Sequence, residues 1–97
     1  MRNFESKITT QNAKSFMKKI KGYVICENTN RTLNRFKIRW NDGKEKELIF
    51  GSETEGFFEL QLSLKTNQIF IEKENYEATC IQIKPNFNSY IAKIKKA

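Results

Sequence analysis

The chain contains no histidine, one aspartate (Asp42), one proline (Pro85), four glycines and two cysteines in 97 residues. Without histidine, the usual general base near neutral pH is missing. The spacing of Cys26 and Cys80 gives no Cys-x-x-Cys and no Cys/His set, and a lone aspartate builds no acidic calcium loop. Glutamate pairs exist, notably Glu45 with Glu47 and Glu53 with Glu55, but a two-residue spacing is common on solvated strand faces and loops. Gly51-Ser52-Glu53-Thr54-Glu55-Gly56 lacks the Gly-Lys-Ser/Thr ending of a phosphate cradle and carries two carboxylates. The expectation is a protein that is not an enzyme and takes no metal and no cofactor. Scarce proline and glycine also exclude a low-complexity chain. The longest unbroken apolar run is Tyr23–Cys26, and residues 1–12 are polar, so neither a membrane span nor a signal-peptide core is expected. The address this implies is the cytoplasm, where Cys26 and Cys80 stay reduced.

What is abundant is positive charge, with 18 Lys and Arg against 11 Asp and Glu. It is unevenly placed: residues 1–39 carry +8, residues 40–83 carry −5 and residues 84–97 carry +4. A chain so arranged can present separate surfaces to partners of opposite sign. Net charge alone therefore does not select nucleic acid as the partner.

Length and the absence of a linker predict one domain over residues 1–97. Ala13, Phe16, Met17 and Ile20 recur at helical spacing between Thr10, a capping residue, and Gly22, a terminating one, which predicts an amphipathic helix with Lys14, Lys18 and Lys21 on other sides. From Tyr23 the period falls to two. Strands are expected near 23–28, 33–40, 44–50, 57–64, 68–73 and 78–84, with short turns between them, as an antiparallel meander. Past Pro85, Phe87, Tyr90, Ile91 and Ile94 approximate helical spacing and predict a short C-terminal helix, although Tyr90, Ala92 and Ile94 also alternate as a strand would. The fold class is thus α+β: an N-terminal amphipathic helix on a six-stranded, mainly antiparallel sheet, closed by a short helix. The core expected is Phe16, Ile20, Phe36, Ile38, Trp40, Leu48, Leu60, Leu62, Leu64, Ile69, Ile71, Ile81 and Ile83.

Charge also predicts register. A three-residue loop Asn41-Asp42-Gly43 sets Trp40 opposite Lys44, Arg39 opposite Glu45, Lys37 opposite Glu47 and Phe36 opposite Leu48. Two of the three cations in the stripe Arg35, Lys37 and Arg39 then have acidic partners, which removes the best phosphate-tracking segment. A turn at Thr66-Asn67 would set Leu64 against Ile69 and Leu62 against Ile71 in a second hairpin.

The candidate sites follow. Glu53, Glu55 and Glu59 around Phe57 combine carboxylates with an aromatic anchor, a set suited to docking on a protein surface. The alternative is nucleic-acid binding through Lys14, Lys18, Lys21, Arg31, Arg35, Lys93, Lys95 and Lys96, with Tyr23, Phe70, Tyr76 or Tyr90 as stacking platforms. The stretch Phe57-Phe58-Glu59-Leu60-Gln61-Leu62-Ser63-Leu64-Lys65-Thr66-Asn67-Gln68-Ile69-Phe70-Ile71 resembles the central hairpin of many small bacterial immunity proteins, with Asn67 where glycine is commoner. The resemblance implies a non-catalytic protein that neutralises a toxin domain by direct complex formation.

Overall fold

The structure, a computed structural model, describes residues 17–97. Seven strands run in chain order: β1 (Met17–Cys26), β2 (Phe36–Asn41), β3 (Glu45–Phe50), β4 (Phe57–Ser63), β5 (Gln68–Glu72), β6 (Thr79–Gln82) and β7 (Ser89–Ile94). A single turn of 3-10 helix, Ser52–Thr54, lies between β3 and β4. The fold is therefore mostly β, and the expected α+β architecture is corrected. Thr10, Ala13, Lys14 and Phe16 of the expected N-terminal helix lie outside the described residues. Its second half, Met17 to Gly22, is extended.

The strands form two sheets, ordered β4-β1-β7 and β3-β2-β5-β6, rather than one meander. All pairings are antiparallel except that of β1 with β7, which is parallel. The chain stays within a sheet only at β2–β3 and β5–β6, and changes sheet at every other connection. Inner faces meet in a core of Ile20, Val24, Phe36, Ile38, Trp40, Phe58, Leu60, Leu62, Ile69, Ile71, Ile83, Ala92 and Ile94. Phe36 and Phe58 touch edge-on across it, their rings 6.5 Å apart.

β1 explains the lost helix. Ile20, Gly22, Val24 and Cys26 point inward while Lys19, Lys21 and Tyr23 point out, so the segment has period two with a glycine in one inward place. That glycine hides the alternation and imitates a helix end. It is needed for another reason: a methyl at Gly22 would collide with the Tyr90 carbonyl and the Phe58 ring, because β4 and β7 close on β1 from both sides. The C-terminal helix is corrected in the same way. β7 buries Ala92 and Ile94 and turns Ile91 out, and the Tyr90 hydroxyl donates to the Phe87 carbonyl (2.9 Å) and accepts from the Lys84 amide (3.0 Å), holding residues 84–88 in a loop.

The expected registers shift. β2 and β3 pair with Asn41 opposite Glu45, Arg39 opposite Glu47 and Phe36 opposite Phe50, two residues from the predicted alignment. The loop is Asp42-Gly43-Lys44, with the Asn41 side chain accepting from the Gly43 amide at 3.0 Å. A two-residue shift preserves faces, so the anticipated ion pairs form on diagonals: Arg39–Glu45 at 2.9 Å and Lys37–Glu47 at 3.8 Å. Glu72 joins them, 2.6 Å from Arg39 and 3.5 Å from Lys37.

The second hairpin does not form. β4 pairs with β1 and β5 with β2 and β6, so Leu62 and Ile71 belong to different sheets. The turn at Thr66-Asn67 is a crossover pinned by buried Thr66, whose amide donates to the Ser63 carbonyl (3.0 Å) and whose hydroxyl donates to the Asn41 carbonyl (3.4 Å). Leu64 lies in this crossover and Leu48 on the margin of its sheet, and both are half-exposed instead of core. Ile81 is only partly buried, and Val24, Phe58, Ala92 and Ile94 take core places the sequence did not assign.

Candidate functional site

The outer face of the three-stranded sheet carries the residues that alternation sends away from the core. From β1 these are Lys19, Lys21 and Tyr23; from β4, Phe57, Glu59 and Gln61; from β7, Ser89, Ile91 and Lys93. Register aligns three of them in one row: Tyr23 pairs with Phe57 on one side and with Ile91 on the other. They are 46%, 38% and 65% exposed. Tyr23 and Phe57 meet edge-to-face at 5.5 Å and 64°, the favoured aromatic geometry. A cleft of about 390 Å³ runs along the row, lined by Lys21, Tyr23, Phe57, Ser89, Tyr90 and Ile91. The neighbouring row is polar, with Lys21 between Glu59 and Ser89, and Glu59 reaches Lys19 at 4.0 Å. An exposed apolar row that crosses all three strands of an open sheet, with a charged row beside it, is the anatomy of a binding surface.

Of the predicted protein-docking set, Phe57 and Glu59 lie on this face. Glu53 and Glu55 stay in the connection that leads into β4, where the Glu53 carboxylate folds back over Gly51 and Glu55 adopts a left-handed φ of 51°. That connection is shaped by Gly56, whose φ of 89° and contacts with Thr32 and with the Val24 and Leu33 carbonyls leave no room for a side chain. The structure thus joins two of the four residues on one face and adds Tyr23 and Ile91. Ile91 was legible as the large apolar residue out of phase with Tyr90, Ala92 and Ile94.

The basic set is dispersed. Lys14 is outside the described residues. Lys18 lies on the inward row and donates to the Leu64 carbonyl at 3.4 Å. Arg31 is in the β1–β2 loop, and Arg35 precedes β2 with a φ of 55°. Lys95 and Lys96 run beside residues 75–77. Only Lys21 and Lys93 share the outer face, joined there by Lys19. Of the other proposed platforms, Tyr90 is tied into its loop, Phe70 lies 5.8 Å below the Arg39 guanidinium, and Tyr76 lies 5.9 Å from the Lys73 amine.

A larger cleft, about 680 Å³, opens at the end of the four-stranded sheet between Arg35, Lys37, Ile49, Phe50, Lys73 and Tyr76. Two of its three cations are already engaged: Lys73 donates to the Asn34 carbonyl at 2.6 Å, and Lys37 pairs with Glu47 and Glu72. The Arg39 guanidinium holds the Glu72 carboxyl below the usual carboxylate range, and Glu72 raises Arg39 in return. Hydrogen bonds from Thr29 lower the Cys26 thiol, and burial pushes the adjoining Tyr76 hydroxyl up. Cys26 and Cys80 are both free and belong to different sheets. Among the described residues, no group of three or more Cys, Asp or Glu is placed to hold a metal ion, and no helix is long and apolar enough to cross a membrane. Compared with protein families and with curated proteins, the chain matches none.

Proposed function

We propose that this chain is a non-catalytic protein-binding inhibitor, an immunity protein that neutralises a bacterial toxin by direct complex formation in the cytoplasm. The observation that carries the binding role is the exposed Phe57–Tyr23–Ile91 row, whose aromatic members are the residue types that anchor protein interfaces. The toxin as partner rests on the resemblance of residues 57–71 to immunity proteins. Glu53 and Glu55 stand as outlying contacts reached only by a partner that extends past the start of β4.

A second reading, nucleic-acid binding, is favoured by one arrangement: Lys19, Lys21 and Lys93 around Tyr23 and Phe57. Three lysines neutralise at most three phosphates, which limits the salt dependence of single-strand binding to a log–log slope of about −2. This is weak electrostatic capture, and the aliphatic Ile91 offers no base-stacking face.

The test is a pull-down of the tagged protein from its native cells, with and without nuclease, against the variant Tyr23→Ser/Ile91→Ser. Both side chains are at least 46% exposed, so the variant keeps its fold. One protein recovered in near one-to-one amount by the wild type and lost by the variant supports the inhibitor. Nucleic acid that disappears with salt, without a stable protein, replaces it with the second reading.

A further inference from the structure

We propose that β3 is a docking edge for a second copy of this chain, pairing antiparallel with itself about a two-fold axis through Ile49. β3 is the margin of the four-stranded sheet, and every residue from Glu45 to Ile49 is exposed, with Ile49 at 77%. One side of its backbone has no strand partner among the described residues. Such edges are normally guarded by proline, by a bulge or by unpaired charge. β3 has no proline, and its six residues pair with β2 in unbroken register. Its carboxylates are neutralised from within, Glu45 by Arg39 and Glu47 by Lys37. Lys46, opposite Trp40, guards the first half of the strand. The second half, Leu48-Ile49-Phe50, is apolar.

Charge and pleat select both the occupant and the register. A two-fold axis perpendicular to the sheet keeps inner rows with inner rows, so it must pass through a residue and not between two. Through Glu47 it would oppose two carboxylates and set Glu45 against Ile49. Through Leu48 it would set Glu47 against Ile49 and Lys46 against Phe50. Through Ile49 it brings Ile49 to Ile49 and Leu48 to Phe50 twice, and leaves Glu47 facing Gly51 and Lys46 facing Ser52. Within the strand no like charges meet and each apolar residue finds an apolar partner; Glu45 and Glu53, next in line, fall beyond the paired segment, because the chain has turned into 3-10 helix at Ser52–Thr54. The strand is complementary to itself in this register, which is why the occupant is a second copy. Two four-stranded sheets then become one continuous sheet, and the Phe57–Tyr23–Ile91 face of each copy stays open.

Sedimentation velocity over a concentration series, on the wild type and on Ile49→Lys, tests this directly. The wild type is expected to approach the mass of two chains as concentration rises, and I49K to remain a monomer whose urea midpoint matches that of the wild type at concentrations where the wild type is also monomeric. A chemical readout independent of that variant uses a Cys80→Ser background. There, Ile49→Cys places two thiols on directly opposed residues, about 4.5–5.5 Å apart at Cα and within disulfide reach. Copper–phenanthroline, accepting two electrons per bond formed, should join I49C at least tenfold faster than Lys46→Cys. A wild type that stays monomeric to about 1 mM, a dimer that I49K leaves intact, or equal cross-linking at positions 46 and 49 would each overturn the proposal.

Discussion

Phe57 and Phe58 are chain neighbours on opposite faces of β4, and truncating each to alanine separates stability from binding. Phe58 is fully buried, meets Phe36 across the core and fills the space that Gly22 leaves on β1. Its removal costs the transfer of the ring and the cavity left behind, about 3–5 kcal/mol. Against a total stability of about 5–15 kcal/mol for a chain of this size, that is a large share. At a urea slope of about 1.5 kcal/mol/M, the midpoint falls by about 2–3 M. Phe57 is 38% exposed, so about three-fifths of its ring transfer is at stake, and no cavity forms on an open face. Its cost is about 1–2 kcal/mol, or about 1 M in midpoint. Trp40, the sole tryptophan and 6% exposed, reports both unfolding curves by fluorescence. Phe57→Ala should in turn weaken partner binding on the order of tenfold or more, as loss of an interface anchor does. Equal destabilisation by the two variants, or a Phe58→Ala protein within about 1 kcal/mol of wild type, would refute the assignment of faces.

Further outcomes follow from the ion pairs, the strand packing and the thiols. Glu72 has a depressed pKa in the folded state. Its contribution to stability is therefore present above the unfolded carboxylate value of about 4.3 and is lost as pH falls through the folded one. Glu72→Gln should lower the melting temperature at pH 7 and flatten its fall below about pH 4, and an unchanged acid slope would contradict the pairing. Gly22→Ala drives a methyl into the Tyr90 carbonyl and the Phe58 ring; overpacking at this junction should cost about 1–3 kcal/mol in thermal or urea melts, whereas a neutral result would mean that β7 does not lie against β1. Cys80 is exposed and Cys26 buried, so a thiol reagent should titrate one cysteine in the native protein and two in denaturant. Two fast-reacting native thiols would place Cys26 outside the core.

The strands were largely readable from residue order, and the sheet partners were not. Period-two alternation located β2 to β6 within a few residues, because Ile38, Leu60, Leu62, Ile69 and Ile71 each need an inward place. It failed in β1, where Gly22 occupies an inward position and Lys18 begins the inward row, and in β7, where Ile91 breaks the apolar phase. Partner choice is a tertiary matter. Leu62 and Ile71 suit a hairpin locally, yet the buried Thr66 crossover and the demand of β1 for two neighbours send β4 to the other sheet. The charge rule for β2 and β3 named the right ion pairs while missing the register by two residues, since diagonals serve nearly as well as direct opposition. Of the candidate site, Phe57 and Glu59 were found through composition. Tyr23 joined them when antiparallel pairing placed β1 beside β4, and Ile91 when parallel pairing placed β7 beside β1.

Whether the outer face of β4-β1-β7 meets a protein partner can be read by photo-cross-linking in the native cells. A benzophenone side chain is introduced singly at position 57, at position 91 and, as a control on the other sheet, at the exposed position 82. One nuclease-resistant protein adduct shared by positions 57 and 91 and absent from position 82 is expected. Equal adduct from position 82, or none from positions 57 and 91, would contradict it.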